Sequence, residues 1–230
     1  MTDDMEALYP FLYSQSADLD AVMSSVRQAT VEKVDEIVTL RRTVLERDGD
    51  RIAACAAAMA EAFAAGARLF AFGNGVSSTD AHDVATLFMN PGHMNGGPAR
   101  PLPAFALTAD IAVVTALADD IGFDVVFARQ LAASAFAGDI ALGLSTSGNS
   151  RNLVAAFEEA GRRGMLTVGL AGYDGGQMAE LGTIDHLIDH LFVVPSASVH
   201  RVQEAQTTVY HALWELTQHS LAKVGDNDDG

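Results

Sequence analysis

The chain has 230 residues, 49% of them hydrophobic and 19% charged, which is a globular composition long enough for one full-sized core and too short for two ordinary enzyme domains. Its 30 acidic residues against 14 Lys and Arg give a formal charge of −16, a field that argues against non-specific binding to nucleic acid or anionic lipid but leaves local phosphate binding open. No apolar run reaches the ~20 residues of a membrane helix, the lone Cys55 excludes an intramolecular disulfide and a Cys-rich zinc site, and the start MTDDMEAL lacks the regions of a signal peptide; a soluble protein in a reducing cytoplasm is expected.

Between Met1 and Asp50 the apolar positions Leu19, Val22, Met23, Val26, Val34, Ile37 and Leu40 recur at helical spacing. This segment is expected to pack either on the chain's own core or on a second copy. The Ala-rich stretch Ile52 to Ala65 has strong helix propensity and is followed by Gly66, a C-cap residue. From Arg68 onward short apolar runs alternate with helical segments, the pattern of βαβ units. The runs are Leu69 to Phe72, Ala104 to Leu107, Ile140 to Leu144, Leu166 to Leu170 and Leu191 to Val194. They are apolar on successive residues, as strands buried on both faces are. Helices are expected over Asp80 to Met89, Ile111 to Ala118, Val125 to Ala135, Leu153 to Arg163, Gln177 to Leu181 and Val202 to about Lys223. The fold class is therefore α/β: a three-layer, doubly wound, five-stranded parallel sheet of flavodoxin-like type with an N-terminal helical segment. Pro91 to Pro103 reads as a mobile Gly- and Pro-rich loop, and residues 223–230 as a disordered acidic tail.

Ligands of open parallel sheets bind beyond the C-terminal ends of the strands. Two loops there stand out: Gly73-Asn74-Gly75-Val76-Ser77-Ser78-Thr79-Asp80 after the first strand and Ser145-Thr146-Ser147-Gly148-Asn149-Ser150 after the third. Each runs into a helix start, where unpaired N–H groups and a partial positive charge suit an oxyanion. The alternative is that these hydroxyls are helix caps. One cap needs one hydroxyl, and Ser145, Thr146, Ser147 and Ser150 exceed that need. Neither a nucleotide P-loop nor a dinucleotide glycine pattern is present.

The segments GNGVSSTDAHDVA, ADDIGFD, LSTSGNSRN, GYDGGQMAEL and VPSASVHRVQEAQTTVYHALWEL together resemble the sugar isomerase (SIS) fold, specifically its phosphoheptose isomerase branch. The resemblance implies residues 1–50 as an oligomerisation segment, 51–222 as the SIS domain, a homotetramer with sites completed by neighbouring subunits, and conversion of sedoheptulose 7-phosphate to a heptose 7-phosphate through an enediol. Carried over by residue, it implies phosphate binding at Ser145, Thr146, Ser147 and Ser150, and a first loop at Asn74, Gly75 and Ser77, with Val76 in place of a usual Gly. The family's Asn-Asp pair is here Asp119-Asp120, with the carboxylate kept at Asp120. Gln203 falls at the position of a substrate or metal contact and His211 at that of an acid/base histidine.

The departures are on the helix after the first loop, where the family's His, and the Glu four residues on that serves as base and metal ligand, are here Asp83 and Leu87. Leu87 can neither accept a proton nor bind a metal. His82 lies about 100° around the helix from Asp83. Asp83 is a substitute base or simply an acid near a helix start. Some family members bind zinc; the candidate ligands here are Asp83, Gln203 and His211, a weak set because an amide oxygen is a poor ligand and eight helical residues span about 12 Å. Two functions follow. One is an aldose–ketose isomerase acting on a phosphorylated seven-carbon sugar. The other, prompted by Leu87, is a non-catalytic phosphosugar sensor or a tetrameric scaffold that binds a replication initiator. Both take a small phosphosugar, and neither contacts nucleic acid directly or a membrane.

Overall fold

The computed structural model describes residues 19–94, 97–183 and 186–228, so the readings that fall on residues 1–18 and 229–230 lie outside the described residues. Helix α1 runs from Leu19 to Ala64 without a break, where the sequence suggested separate helical stretches on either side of Asp50. Nothing at that point stops a helix: there is no Pro, a single Gly49 costs only about 1 kcal/mol, and Arg51 reaches back to Asp48 at 2.7 Å. The stop comes at Gly66, whose φ of 92° accompanies bonds from its N–H to Phe63 O and from Ala67 N–H to Ala62 O, a left-handed C-terminal turn that glycine adopts without steric cost. Compactness divides the chain into one unit ending at Thr39 and another from Leu40 on. In the first, Val22, Met23, Val26, Val31, Val34 and Val38 are exposed.

The second unit is built on five parallel strands: β1 (Leu69–Gly73), β2 (Ala104–Ala106), β3 (Ile140–Leu144), β4 (Leu166–Gly172) and β5 (His190–Val194). Their order, β2-β1-β3-β4-β5, is the flavodoxin-like one, with all pairings parallel. The helices between them are α2 (Val76–Met89), α3 (Ile111–Asp120), α4 (Val126–Ser134), α5 (Arg151–Arg163), α6 (Gly176–Thr183) and α7 (Val199–Asp228). The segment read as a loop from Pro91 to Pro103 contains a two-residue ribbon, His93–Met94 against Gly97–Pro98. Its end is fastened by Gln218, which donates to Arg100 O and accepts from Arg100 N–H. The last helix continues through Asp228, into the stretch read from composition as a tail.

Strand alternation sorts the core. Phe70 and Phe72 of β1 join Phe127, Leu131, Phe157 and Met178 in one cluster under α4, α5 and α6. On the other side α2 packs on β1 and α7, and α7 on β4. The strands β1 and β3 are buried throughout, which is why they read as unbroken apolar runs. The edge strand β5 is covered by α1: Arg51 donates to Leu191 O at 2.7 Å and Arg47 to Val193 O. Asp48, 1% exposed, sits between the two arginines. Carbonyls that would otherwise template another strand are thereby occupied.

Candidate active site

The strand order reverses between β1 and β3, so the loops that follow these two strands flank the crevice where open α/β sheets place ligands. Gly73 ends β1 in close quarters: a Cβ there would lie 2.5 Å from Ser77 O and 2.9 Å from Leu144 O. Asn74 follows, then Gly75 at φ 55°, and α2 begins. Asn74 and Asn152, the second residue of α5, donate to each other at 2.8 and 2.9 Å and so lock the two loops together. Ser77 is buried, with its N–H bonded to Asn74 O. Ser78 and Thr79 return their hydroxyls to Gly75 O and Val76 O.

The loop after β3 is held from behind and below. Ser145 is 5% exposed; its N–H donates to Leu170 O, its hydroxyl accepts from Gly148 N–H at 2.9 Å, and its carbonyl accepts from Gln206 Nε2 at 2.8 Å. Gly148 has no room for a side chain, because its Cβ would fall 1.9 Å from Gly175 O. Asn149 accepts from Gln177 N–H and fastens the start of α6. Thr146, Ser147 and Ser150 are half-buried at the rim. Ser150 occupies the cap position of α5 and makes no side-chain cap bond. Asp110 shows what capping looks like in this chain: its carboxylate accepts from Ala112 and Val113 N–H at 2.9 and 3.3 Å. The hydroxyls after β3 are therefore not explained by capping.

Helix α7 presents Gln203, Gln206 and Tyr210 along one stripe, at spacings of three and four. Gln203 Nε2 donates to Asp80 Oδ2 at 3.1 Å, and the Tyr210 hydroxyl donates to Asp83 Oδ2 at 2.6 Å. His211 Nε2 stands 3.7 Å from the same Asp83 oxygen, with both side chains about half exposed. Burial raises the Asp80 carboxyl above its usual range, opposed by the Gln203 amide and reinforced by Asp83. Burial and its bond to Asp83 likewise push the Tyr210 hydroxyl up. At the end of β4, Tyr173 is held at φ 55°, a strained conformation for a bulky residue. It borders an open cleft of about 710 Å³ with Ser147, Asn149 and Ser196.

Residues 34–172 match the family model described as SIS domain. The chain is 40% identical to a phosphoheptose isomerase of Nitratidesulfovibrio vulgaris over 86% of this chain and 90% of that one. It is 42% identical to a phosphoheptose isomerase of Geobacter metallireducens over 75% and 87%. The chain belongs to the phosphoheptose isomerase branch of the SIS family. Its fold superposes on the phosphoheptose isomerase GmhA of Neisseria gonorrhoeae with a TM-score of 0.74 at 29% identity, covering 84% of this chain and 98% of that one. For a phosphoheptose isomerase from Francisella tularensis the TM-score is 0.73 at 29% identity, covering 89% and 100%.

For a member of the SIS family the geometry is selective. It joins the loop of Asn74, Gly75 and Ser77 to the loop of Ser145, Thr146, Ser147 and Ser150 through the Asn74–Asn152 pair, and along the α2–α7 contact it sets Gln203 against Asp80 and His211 near Asp83. Asp119 and Asp120 are exposed at the end of α3, a helix that packs on α4 and on the 3-10 turn Phe123–Val125. Leu87 is a half-buried apolar side chain, and His82 is exposed. The candidate zinc ligands do not fit a zinc centre: Gln203 offers only an amide oxygen, a poor ligand, beside one carboxylate and one histidine, and among the described residues no group of three or more His, Cys, Asp and Glu could hold a metal ion. Sequence reasoning passed over Asp80, Asn152, Tyr173, Gln206 and Tyr210. All five lie inside the family segments, but only tertiary contacts reveal what they touch.

Proposed function

We propose that this chain is an aldose–ketose isomerase acting on sedoheptulose 7-phosphate. The observation that carries the reading is the joined pair of loops at the switch point, whose helices start without side-chain caps; the family membership supplies the substrate class. In this reading Ser145, Thr146, Ser147 and Ser150, with nearby backbone N–H groups, hold the phosphate, and Asn74, Gly75 and Ser77 form the facing wall. Asn74, Asp120 and Gln203 orient sugar hydroxyls, with Asp119 beside Asp120 at the substrate.

Isomerisation removes a proton from the carbon beside the carbonyl, passes through an enediol, and returns a proton to the neighbouring carbon, which requires a base and an acid within reach of both. His211 exchanges the proton, and Asp83, turned toward it and anchored by Tyr210, serves as the substitute for the missing glutamate. No step is assigned to zinc. The sensor or scaffold reading that Leu87 prompted is not favoured by the relatives named above, which are isomerases by name.

The direct test is incubation with sedoheptulose 7-phosphate in deuterated water, following deuterium into C1 or C2. Exchange that His211→Ala abolishes supports the reading. Tight binding without exchange in the unaltered protein returns it to a sensor or scaffold.

Assembly as a homotetramer through the N-terminal helical segment is part of the same proposal. It is supported by the exposed Val22, Met23, Val26 and Val34 of α1 and by α3, which buries none of its residues and leaves Ile111 69% exposed. Light scattering gives the mass. A cytoplasmic setting belongs to this reading too; among the described residues no helix is long and apolar enough to cross a membrane.

A further inference from the structure

The interior of α7 contains an amide whose bonding is incomplete. Gln206 is 0% exposed. Its Nε2 donates to Ser145 O at 2.8 Å, while its Oε1, also buried, has no hydrogen-bond partner among the described residues. A buried amide left half-satisfied costs stability, and an apolar side chain of the same shape would avoid that cost only by leaving the buried Ser145 carbonyl without its donor. The residue is therefore not explained by packing alone, and the question is what the one bond it makes accomplishes.

That bond fixes a peptide plane. The Ser145–Thr146 peptide is trans, as are all those described, so its C=O and N–H point in opposite directions. With the carbonyl drawn back to the buried Gln206, the Thr146 N–H is turned the opposite way, away from that interior contact, in a stretch where Thr146 and Ser147 are half-buried. Among the described residues this N–H makes no hydrogen bond, whereas those of Ser145, Gly148 and Asn149 are already engaged within the fold. Thr146 thus offers a free donor whose direction is set from the opposite end of its own peptide.

We propose that Gln206 is a positioning residue for oxyanion recognition: through Ser145 O it aims the Thr146 N–H at the phosphate group of the substrate. The proposal rests on the reading of this loop as the phosphate site, and it adds a residue of α7 that never touches the ligand. Because α7 also carries Gln203, Tyr210 and His211, the same helix then registers the phosphate grip against the acid cluster on α2.

The test uses the full chain and the isosteric Gln206→Met variant, with Gln206→Leu in its place where Met does not fold. Dissociation constants for sedoheptulose 7-phosphate and for inorganic phosphate are measured by calorimetry, and the Thr146 amide is followed by NMR as inorganic phosphate is added. Both constants should rise by the same factor, about tenfold for one misdirected hydrogen bond. In a turnover assay KM should rise with kcat within about twofold, as for loss of uniform binding. The melting temperature should fall only modestly, because the Ser145 carbonyl loses its donor while the unpaired Oε1 is removed with it, and the downfield shift of the Thr146 amide seen in the unaltered protein should be lost. A role in the fold alone would lower the melting temperature and leave the phosphate constants and the amide shift in place; that result overturns the proposal, as does unfolding of both variants. If the unaltered chain binds neither compound, the phosphate reading itself falls and Gln206 with it. If it binds both and the variants bind equally well, only the role of Gln206 falls.

Discussion

Asn74, just past the end of β1, and Asn152, in the first turn of α5, satisfy each other with two hydrogen bonds of 2.8 and 2.9 Å. Asn152 is 2% exposed, so the pair is a polar clasp set into the crevice between the loops rather than a surface contact. It fixes the separation of the two helix starts that flank the candidate phosphate site. Asn152→Ala removes both bonds and leaves the Asn74 amide without its partner; the expected cost is about 2 kcal/mol of unfolding free energy. Because both residues lose the same interaction, the double variant with Asn74→Ala should cost clearly less than the sum of the two single changes. Urea titrations of the four proteins measure both quantities, and strict additivity would contradict the clasp.

Asp139 should give the protein an acid-sensitive component. Burial alone would raise its carboxyl, but the Arg68 guanidinium, together with the Phe136 and Arg68 N–H groups, outweighs burial and holds it below the ordinary value of 3.8. A carboxyl whose folded pKa is depressed binds fewer protons folded than unfolded. Its contribution is therefore present above about pH 4 and is lost as the pH falls through the lowered folded value. Asp139→Asn should lower stability at neutral pH, by about 1 kcal/mol because water reaches the 30% exposed Arg68, and should flatten the loss of stability on acidification below pH 4. Thermal melts between pH 2.5 and 7 would show it.

Cys55 should be chemically silent in the folded protein. It is 0% exposed, and burial, reinforced by Asp189, pushes its thiol up to about 12, so almost no thiolate exists at neutral pH to attack a reagent. Incubation with iodoacetamide at pH 8 should leave the native chain unlabelled and modify one site per chain in denaturant, as read by mass spectrometry. Rapid labelling of the native protein would mean that α1 opens around this position.

Much of this architecture is legible in the sequence because it is written locally. Strands buried on both faces, such as Ile140 to Leu144, print as unbroken apolar runs, and Ser145 to Ser150 carries more hydroxyls than a cap requires. The continuous α1 was obscured because Asp50 mimics a helix start although nothing before it ends the helix. The clasp and the α7 contacts were hidden for a different reason. Asn74 and Asn152 are 78 residues apart, Gln206 and Ser145 are 61 apart, and Tyr210 and Asp83 are 127 apart. Amide and hydroxyl side chains have no periodicity that announces a partner at such distances, so only the folded sheet brings them together. Gln206 is the extreme case, since its place on the buried stripe of α7 is one where the helical pattern calls for an apolar residue.

The acid cluster between α2 and α7 makes the last prediction. Asp83 receives the Tyr210 hydroxyl at 2.6 Å and faces His211 at 3.7 Å, while the position four residues on, which shares its side of the helix, is the apolar Leu87. With one carboxylate, one histidine and an amide whose oxygen is a poor ligand, the cluster has only two good donors for a catalytic zinc, which takes three protein ligands and a water. The unaltered chain, dialysed after incubation with zinc, should therefore retain well under one ion per chain. The double variant Asp83→His with Leu87→Glu places an imidazole and a carboxylate one helical turn apart, the first at the position that faces His211, and removes the acceptor of Tyr210. It should retain close to one zinc per chain by elemental analysis and gain thermal stability in the presence of the ion, as any ligand that binds only the folded state confers. Retention of a full equivalent by the unaltered chain would show that the Gln203 amide oxygen, or a group from a second copy, completes the set, and would overturn the prediction.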